Sequence, residues 1–464
     1  MSLLPRHRPL EPEHRLRAAL LLSLLTAPAC SGGSEEASLS CPAGDPNWAA
    51  SPLPPCPGAR PALEPLCKPP TYALLRSDYT SSSLTLLDAE GRALAEGWVD
   101  SGSRAPGLVT ALSNDVELPT RQADGESLTY LDRFRSDVVS RFCLRDGSLL
   151  GQVRTHRSGE GRVGYSSNPQ DVVFLSPAEA WVSRFEPNLD PQAAEIDRGN
   201  DLLRLAADEM SLPGERIDLS AFDAQGEALG QGERPKIYAR PSRMLRFGRW
   251  IAVALARLSI DFRAAAEGRI ALVDPQRGEV RAIELSGLKN CGRLTPSPEH
   301  AEVAFVACIG FALPWGDEAQ IRATSGIVRL RFDPASDQVW VDRIWRSAEG
   351  VDRPLALQQL VALDSSRVVA TAWGKLQGGP GDVLYRVDLE SGEALPLYES
   401  SEAFALGLPA FDPEQRRLLL PDAAKGILRF ELESEGLPQA PSLLELANPS
   451  GLAARQIYTL KSPL

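Results

Sequence analysis

One pattern occurs seven times in this chain and restricts its fold more than any other feature. From Thr71 onward an apolar strand and a polar connection lead into a second, alternating strand, which closes on an acidic residue and a turn. The alternating strands with their turns read SLTLLDAEG, DVVSRFCLRDG, DLLRLAADEMSLPG, RIALVDPQRG, IVRLRFDPASD, VLYRVDLESG and ILRFELESEG. Alternation at period two marks a strand with one buried face. The acid and glycine pieces are hairpin turns, because glycine accepts positive φ and aspartate hydrogen-bonds its own backbone. The anchoring acids Asp88, Asp146, Asp208, Asp274, Asp333, Asp388 and Glu431 lie 58, 62, 66, 59, 55 and 43 residues apart. That spacing suits one four-stranded unit with its loops. The third unit departs by a long turn and the last by lacking the aspartate.

The preceding strands align as well: YALLR, LTYLDR, AWVSR, WIAVALAR, VAFVAC, VVATAW and RLLLPD. A β-sandwich offers no reason for seven similar units, and β-helix repeats are shorter. The expected fold is all-β, a single β-propeller of seven blades over residues 71–464. The run RQIYTL near the C-terminus is placed to close the ring onto the first unit, which would leave no long exposed edge.

Ahead of the repeats, Arg15 and Arg17 precede an apolar stretch from Ala18 to Leu25, then Thr26-Ala27-Pro28-Ala29-Cys30. A basic start, a short apolar core and small residues before a cut describe a secretory signal over residues 1–29; the run is too short to span a bilayer. The same residues before Cys30 resemble a bacterial lipobox, which implies lipidation at Cys30. Cysteine parity agrees. Of seven cysteines, six remain once Cys30 is acylated, an even number suited to an oxidising compartment. Cys291 and Cys308 flank one expected hairpin and are the expected disulfide, while Cys143 is expected to pair with Cys41, Cys56 or Cys67. Residues 30–70 form a Pro-, Ser- and Gly-rich tether that cannot bury a core. Ser31 after the anchor implies an exported, outer-membrane lipoprotein.

The pieces SPEHAEVAFVA and DPEQRRLLLPDAAKGILRF resemble the YVTN or YncE-like propeller repeats of bacterial surface and periplasmic proteins. DVVSRF, SSNPQDVVF, AWVSRF, GNDLL and RIDLSAF resemble a group of propeller lipoproteins. The resemblance covers residues 71–460 and implies a fold without an activity.

In such a ring the second-to-third and fourth-to-first strand connections share one face. Three of the former are long, at residues 186–200, 259–268 and 309–326, and insertions on one rim often mark a binding side. Arginine ends the second strand in four units, at Arg76, Arg133, Arg184 and Arg257; Trp373 with Lys375 stands at the equivalent place in another. Guanidinium forks around one mouth would attract a carboxylate, a phosphate or an acidic peptide. The bland reading pairs each arginine with a loop acid such as Asp78, Asp132, Glu186 or Asp261. Trp315, inside a long loop, is the expected exposed aromatic.

The formal charge is −12, and −14 once residues 1–29 are gone. A body this acidic repels nucleic acid and anionic lipid, so contact with a membrane is expected through the anchor alone. No G-x-S-x-G, H-E-x-x-H or phosphate-binding G-x-x-x-x-G-K-[ST] occurs, and no metal or other cofactor is expected. The residues therefore favour a monomeric, non-enzymatic module binding an envelope protein, peptide or polysaccharide through one face. The alternative is a propeller hydrolase or lyase acting on a carbohydrate or lactone.

Overall fold

The computed structural model describes Leu66 and residues 68–460, apart from 104–111, 114, 158–164, 227–233, 311–317, 376–378, 434–439 and 449. The chain divides into two compact units, residues 1–42 and 43–464, and every described residue belongs to the second. The expected signal peptide, Cys30 and nearly all of the tether lie outside the described residues.

Those residues form seven four-stranded antiparallel sheets and one small three-stranded sheet. In chain order the seven span residues 72–100 (sheet 1), 116–154, 169–218, 241–289, 291–346, 355–399 and 410–444 (sheet 7). Within each, the first strand stands at one edge and its successors follow outward. Sheet 1 is the exception, since its edge strand is Ala454–Thr459 from the far end of the chain. This strand pairs antiparallel with Tyr72–Ser77, setting Leu74 against Ile457 and Tyr72 against Thr459. The expected closure by RQIYTL is thus the observed one, and it covers the backbone donors that a lone first strand would expose.

The alternation seen in the sequence buries apolar faces between neighbouring sheets. Sheets 1 and 2 meet through Leu84, Trp98, Leu128 and Phe142, and sheets 2 and 3 through Leu131, Val139 and Val182. Further layers join sheet 3 to 4, 4 to 5, 5 to 6 and 6 to 7. The circuit ends where Leu419 and Ile427 of sheet 7 pack on Tyr72 and Leu74 of sheet 1. The fold is a single β-propeller. Each fully buried aliphatic side chain in these layers contributes about 1.5–3 kcal/mol, so the core is spread around the ring.

The hairpin acids act as expected. Asp88 accepts from the N–H groups of Glu90 and Arg92, Asp274 from Gln276 and Arg277, and Asp388 from Glu390 and Ser391. Cys291 and Cys308 face each other on adjacent strands of sheet 5 and are joined by a disulfide. A side chain at Gly268 would have its Cβ 2.3 Å from the Cys291 sulfur, which requires glycine there. Cys143 is also in a disulfide, with a partner outside the described residues. No helix among the described residues is long and apolar enough to cross a membrane.

Candidate functional site

Because neighbouring strands run antiparallel, the second-to-third and fourth-to-first connections share one edge of the ring. A cavity of about 260 Å³ opens there, between the connections of sheets 1, 2, 6 and 7. Its apolar walls include Tyr79, Trp373 and Phe404; its polar walls include Asp115, Arg133 and Gln359. Trp373 and Phe404 pack with ring centroids 5.2 Å apart. The Arg455 guanidinium lies over the Tyr79 ring at 4.7 Å, with Nε directed to the Ser77 carbonyl.

The same edge carries most of the exposed large apolar side chains. Tyr79, Phe134, Leu189, Ile260, Phe262 and Phe404 are all exposed and all lie in these connections. Trp340 and Leu443, also exposed, belong to outermost strands instead. Tyr79, Phe262 and Phe404 have φ of 66°, 61° and 60°. Left-handed backbone is costly for aromatic residues and tends to persist where a function holds it.

The expected arc of ligand-seeking arginines is largely occupied by the protein itself. Arg184 is fully buried, with Nε and Nη2 on the two oxygens of Asp201 at 2.7 and 2.6 Å. Its Nη1 donates to the carbonyls of Thr155 and Ile196. Arg257 gives its donors to the carbonyls of Phe222 and Glu267. Arg76 is buried, and burial lowers its guanidinium pKa against the opposing pull of Glu96. Arg133 alone of the four lines the cavity. Its Nε and Nη2 hold Asp115 at 3.0 and 2.5 Å, and Nη1 donates to Gln170 at 2.8 Å. The local partners are therefore Asp115, Asp201 and backbone carbonyls, not the loop acids expected. Sequence proximity cannot show that a carbonyl is better placed than a carboxylate. Lys375 does not line the cavity; it is well exposed and pairs with Glu318 at 3.1 Å. Trp315 lies outside the described residues.

Arg240, absent from the expected set, holds the long loop at 259–268. It is fully buried, pairs with Glu186 at 2.7 Å, donates to the carbonyls of Leu258 and Ser259, and lies over the ring of Phe262 at 4.4 Å.

Beneath the cavity lies a second constellation that the sequence reading missed. Arg133 and Gln456 of the cavity lining both reach Glu117, Arg133 at 3.7 Å and the Gln456 amide at 3.3 Å. Glu117 belongs to sheet 2, yet its carboxylate also pairs with Arg243 of sheet 4, stands 3.9 Å from Arg293 of sheet 5, and accepts the Tyr458 hydroxyl of sheet 1. Edge strands of non-adjacent sheets can meet in this way only around the axis. Burial alone would raise the Glu117 carboxyl, but Arg243, Arg133 and Arg293 outweigh it and hold it below the usual carboxylate range. Asp171 of sheet 3, 3.7 Å from Arg243, is pushed up by burial. Nε and Nη1 of Arg293 are buried without a hydrogen-bond partner.

Asp132, behind the cavity wall, is fully buried. One oxygen accepts from the Ser113 N–H at 2.5 Å and the other has no partner. Burial pushes this carboxyl up to about 6. Among the described residues no group of three or more His, Cys, Asp or Glu is arranged to hold a metal ion.

No family model matches the chain, and no curated protein matches it. Solved structures of propeller proteins do. A 6-phosphogluconolactonase-like protein of Bacteroides uniformis is 12% identical with a TM-score of 0.49, over 84% of this chain and 99% of that one. A similar protein of Bacteroides fragilis is 12% identical with a TM-score of 0.48, over 84% and 98%. The WD40 repeats of RRP9 are 10% identical with a TM-score of 0.42, over 76% and 88%.

Proposed function

We propose that this chain is a non-enzymatic binding module of the bacterial cell envelope. It is anchored through a lipid on Cys30 to the outer membrane, and its seven four-stranded sheets serve as seven blades. The ligand is an envelope protein, peptide or polysaccharide, held on the edge that carries the cavity. One observation supports this reading above the others. Six of the eight exposed large apolar side chains among the described residues gather in the connections of a single edge. Apolar groups concentrated in this way mark interaction surfaces, and aromatic residues commonly anchor them.

The test compares the Tyr79→Ser, Phe404→Ser double variant with Trp340→Ser, which alters an exposed aromatic on an outermost strand. Each mature protein is immobilised and exposed to purified envelope polysaccharide and to a peptide array. Retention lost in the double variant and kept in the control is expected. Equal retention by both would overturn the reading. The hydrolase or lyase alternative requires a proton-transferring group at the cavity wall. Asp115 is the carboxylate there, and turnover of an aryl glycoside or lactone abolished by Asp115→Asn would establish that alternative instead.

A further inference from the structure

We infer that the cavity at the mouth of the ring takes a single uncharged sugar ring. This rests on the binding-face reading above and names the ligand class within it. Size is the first argument. At about 260 Å³ the cavity falls below the range of roughly 300–1,000 Å³ typical of drug-sized ligands, so it holds one ring and leaves the rest of a longer molecule on the rim.

The walls are the second argument. A pyranose has flat C–H faces and an equator of hydroxyls, each both donor and acceptor. Such a ring needs aromatic surface above or below it and planar polar groups at its edge. Tyr79, Trp373 and Phe404 supply the aromatic surface. The polar lining includes Gln359. Its Nε2 donates to the Leu406 carbonyl at 2.6 Å, which settles the orientation of the amide. Its Oε1 is buried with no hydrogen-bond partner.

Charge is the third argument, and it separates a sugar from an acidic ligand. The Arg133 guanidinium is committed to Asp115 and Gln170. Arg455 is turned to the carbonyls of Ser77 and Phe404 and stacked on Tyr79. An entering carboxylate would find these forks occupied. It would also meet Asp115 in the wall and Glu117 behind Gln456.

The mature protein is titrated by saturation-transfer NMR and tryptophan fluorescence. The neutral probes are methyl α-glucoside, methyl α-mannoside, methyl β-galactoside and methyl N-acetyl-β-glucosaminide; the acidic ones are glucuronate and an Asp/Glu-rich peptide. At least one neutral glycoside should bind with a Kd on the order of 1 mM, as expected for so few ligand atoms. Its affinity should be unchanged between about 0.05 and 0.5 M salt, because no net charge is exchanged. Trp373→Ala should weaken it at least about tenfold while Trp373→Phe retains it. Salt-sensitive binding of the acidic probes, lost in the Tyr79, Phe404 double variant, with no glycoside bound, would overturn the sugar reading and leave the binding face standing. A glycoside that binds equally to Trp373→Ala would overturn the site. Failure of every probe and of the rim comparison together would remove both readings.

Discussion

The mouth of the ring and its axis are both lined by side chains from several sheets, yet they handle polar groups in opposite ways. At the mouth, Tyr79, Phe262 and Phe404 stand exposed on left-handed backbone. At the axis, Glu117 is sealed from solvent and shared among Arg243, Arg133, Arg293, Gln456 and Tyr458. A buried ion that loses its partner is a large penalty, so the axial set is committed to holding the sheets together. Strain at the mouth costs less, and the side chains it presents remain free for a ligand.

The largest expected effect would break this contrast at the axis. Glu117→Gln keeps the shape and leaves the arginines without their shared carboxylate, and should cost about 3–5 kcal/mol in urea unfolding. Adding Arg293→Met should recover part of the loss, because one uncompensated charge is then gone. Full additivity of the two changes would show that the axial groups do not act as one unit.

Next is the sheet 5 disulfide, which closes a separation of 17 residues. Its removal by Cys291→Ser with Cys308→Ser should cost about 3 kcal/mol. Gly268→Ala should be strongly destabilising with the disulfide present and clearly less so once the sulfur 2.3 Å from the new Cβ is replaced. Melting temperatures of the four combinations measure that coupling.

The third effect is on pH. The Asp132 carboxyl titrates near 3.8 when unfolded and near 6 when folded. Between those values the folded state keeps a proton that the unfolded chain has released, so stability falls as pH rises through this window. The loss is complete above about pH 6 and amounts to at most about 3 kcal/mol. Asp132→Asn should flatten that fall, and unfolding curves at pH 4, 5, 6 and 7 test it. Glu117 acts with the opposite sign, losing its contribution only as pH drops below the usual carboxylate range.

The smallest stability effect is at the mouth and should be favourable. Phe404→Asn relieves a bulky residue at φ 60° and should raise stability by about 0.5–1 kcal/mol while retention of envelope ligand falls. Lower stability with unchanged retention would mean that the mouth is ordinary packing surface and would erase the contrast.

How much of this was legible in the sequence differs between the two regions. The edge that carries the long loops was legible, because insertions and turn residues are local features. Trp373 was legible from strand alignment, and it lies in the cavity wall. Arg184 and Arg257 were found in the same way but serve the scaffold, because their donors meet Asp201 and backbone carbonyls that alignment cannot place. The axial set escapes strand alignment because the regular alternation lies in the second and third strands of each unit. A signal did exist in and beside the edge strands that meet at the axis. Glu117-Leu118, Asp171-Val172, Arg243-Met244, Arg293-Leu294, Gln359-Leu360, Gly407-Leu408 and Gln456-Ile457 each set a polar or small residue before a buried aliphatic one, once per unit.

By itself the sequence determined the strand period, the hairpin turns and the length of the repeating unit, because alternation and aspartate–glycine turns act between near neighbours in the chain. The tertiary structure alone decided which charges meet and which donors stay open. Glu117 and Tyr458 are 341 positions apart, and only closure of the ring by the last strand brings them into one hydrogen bond.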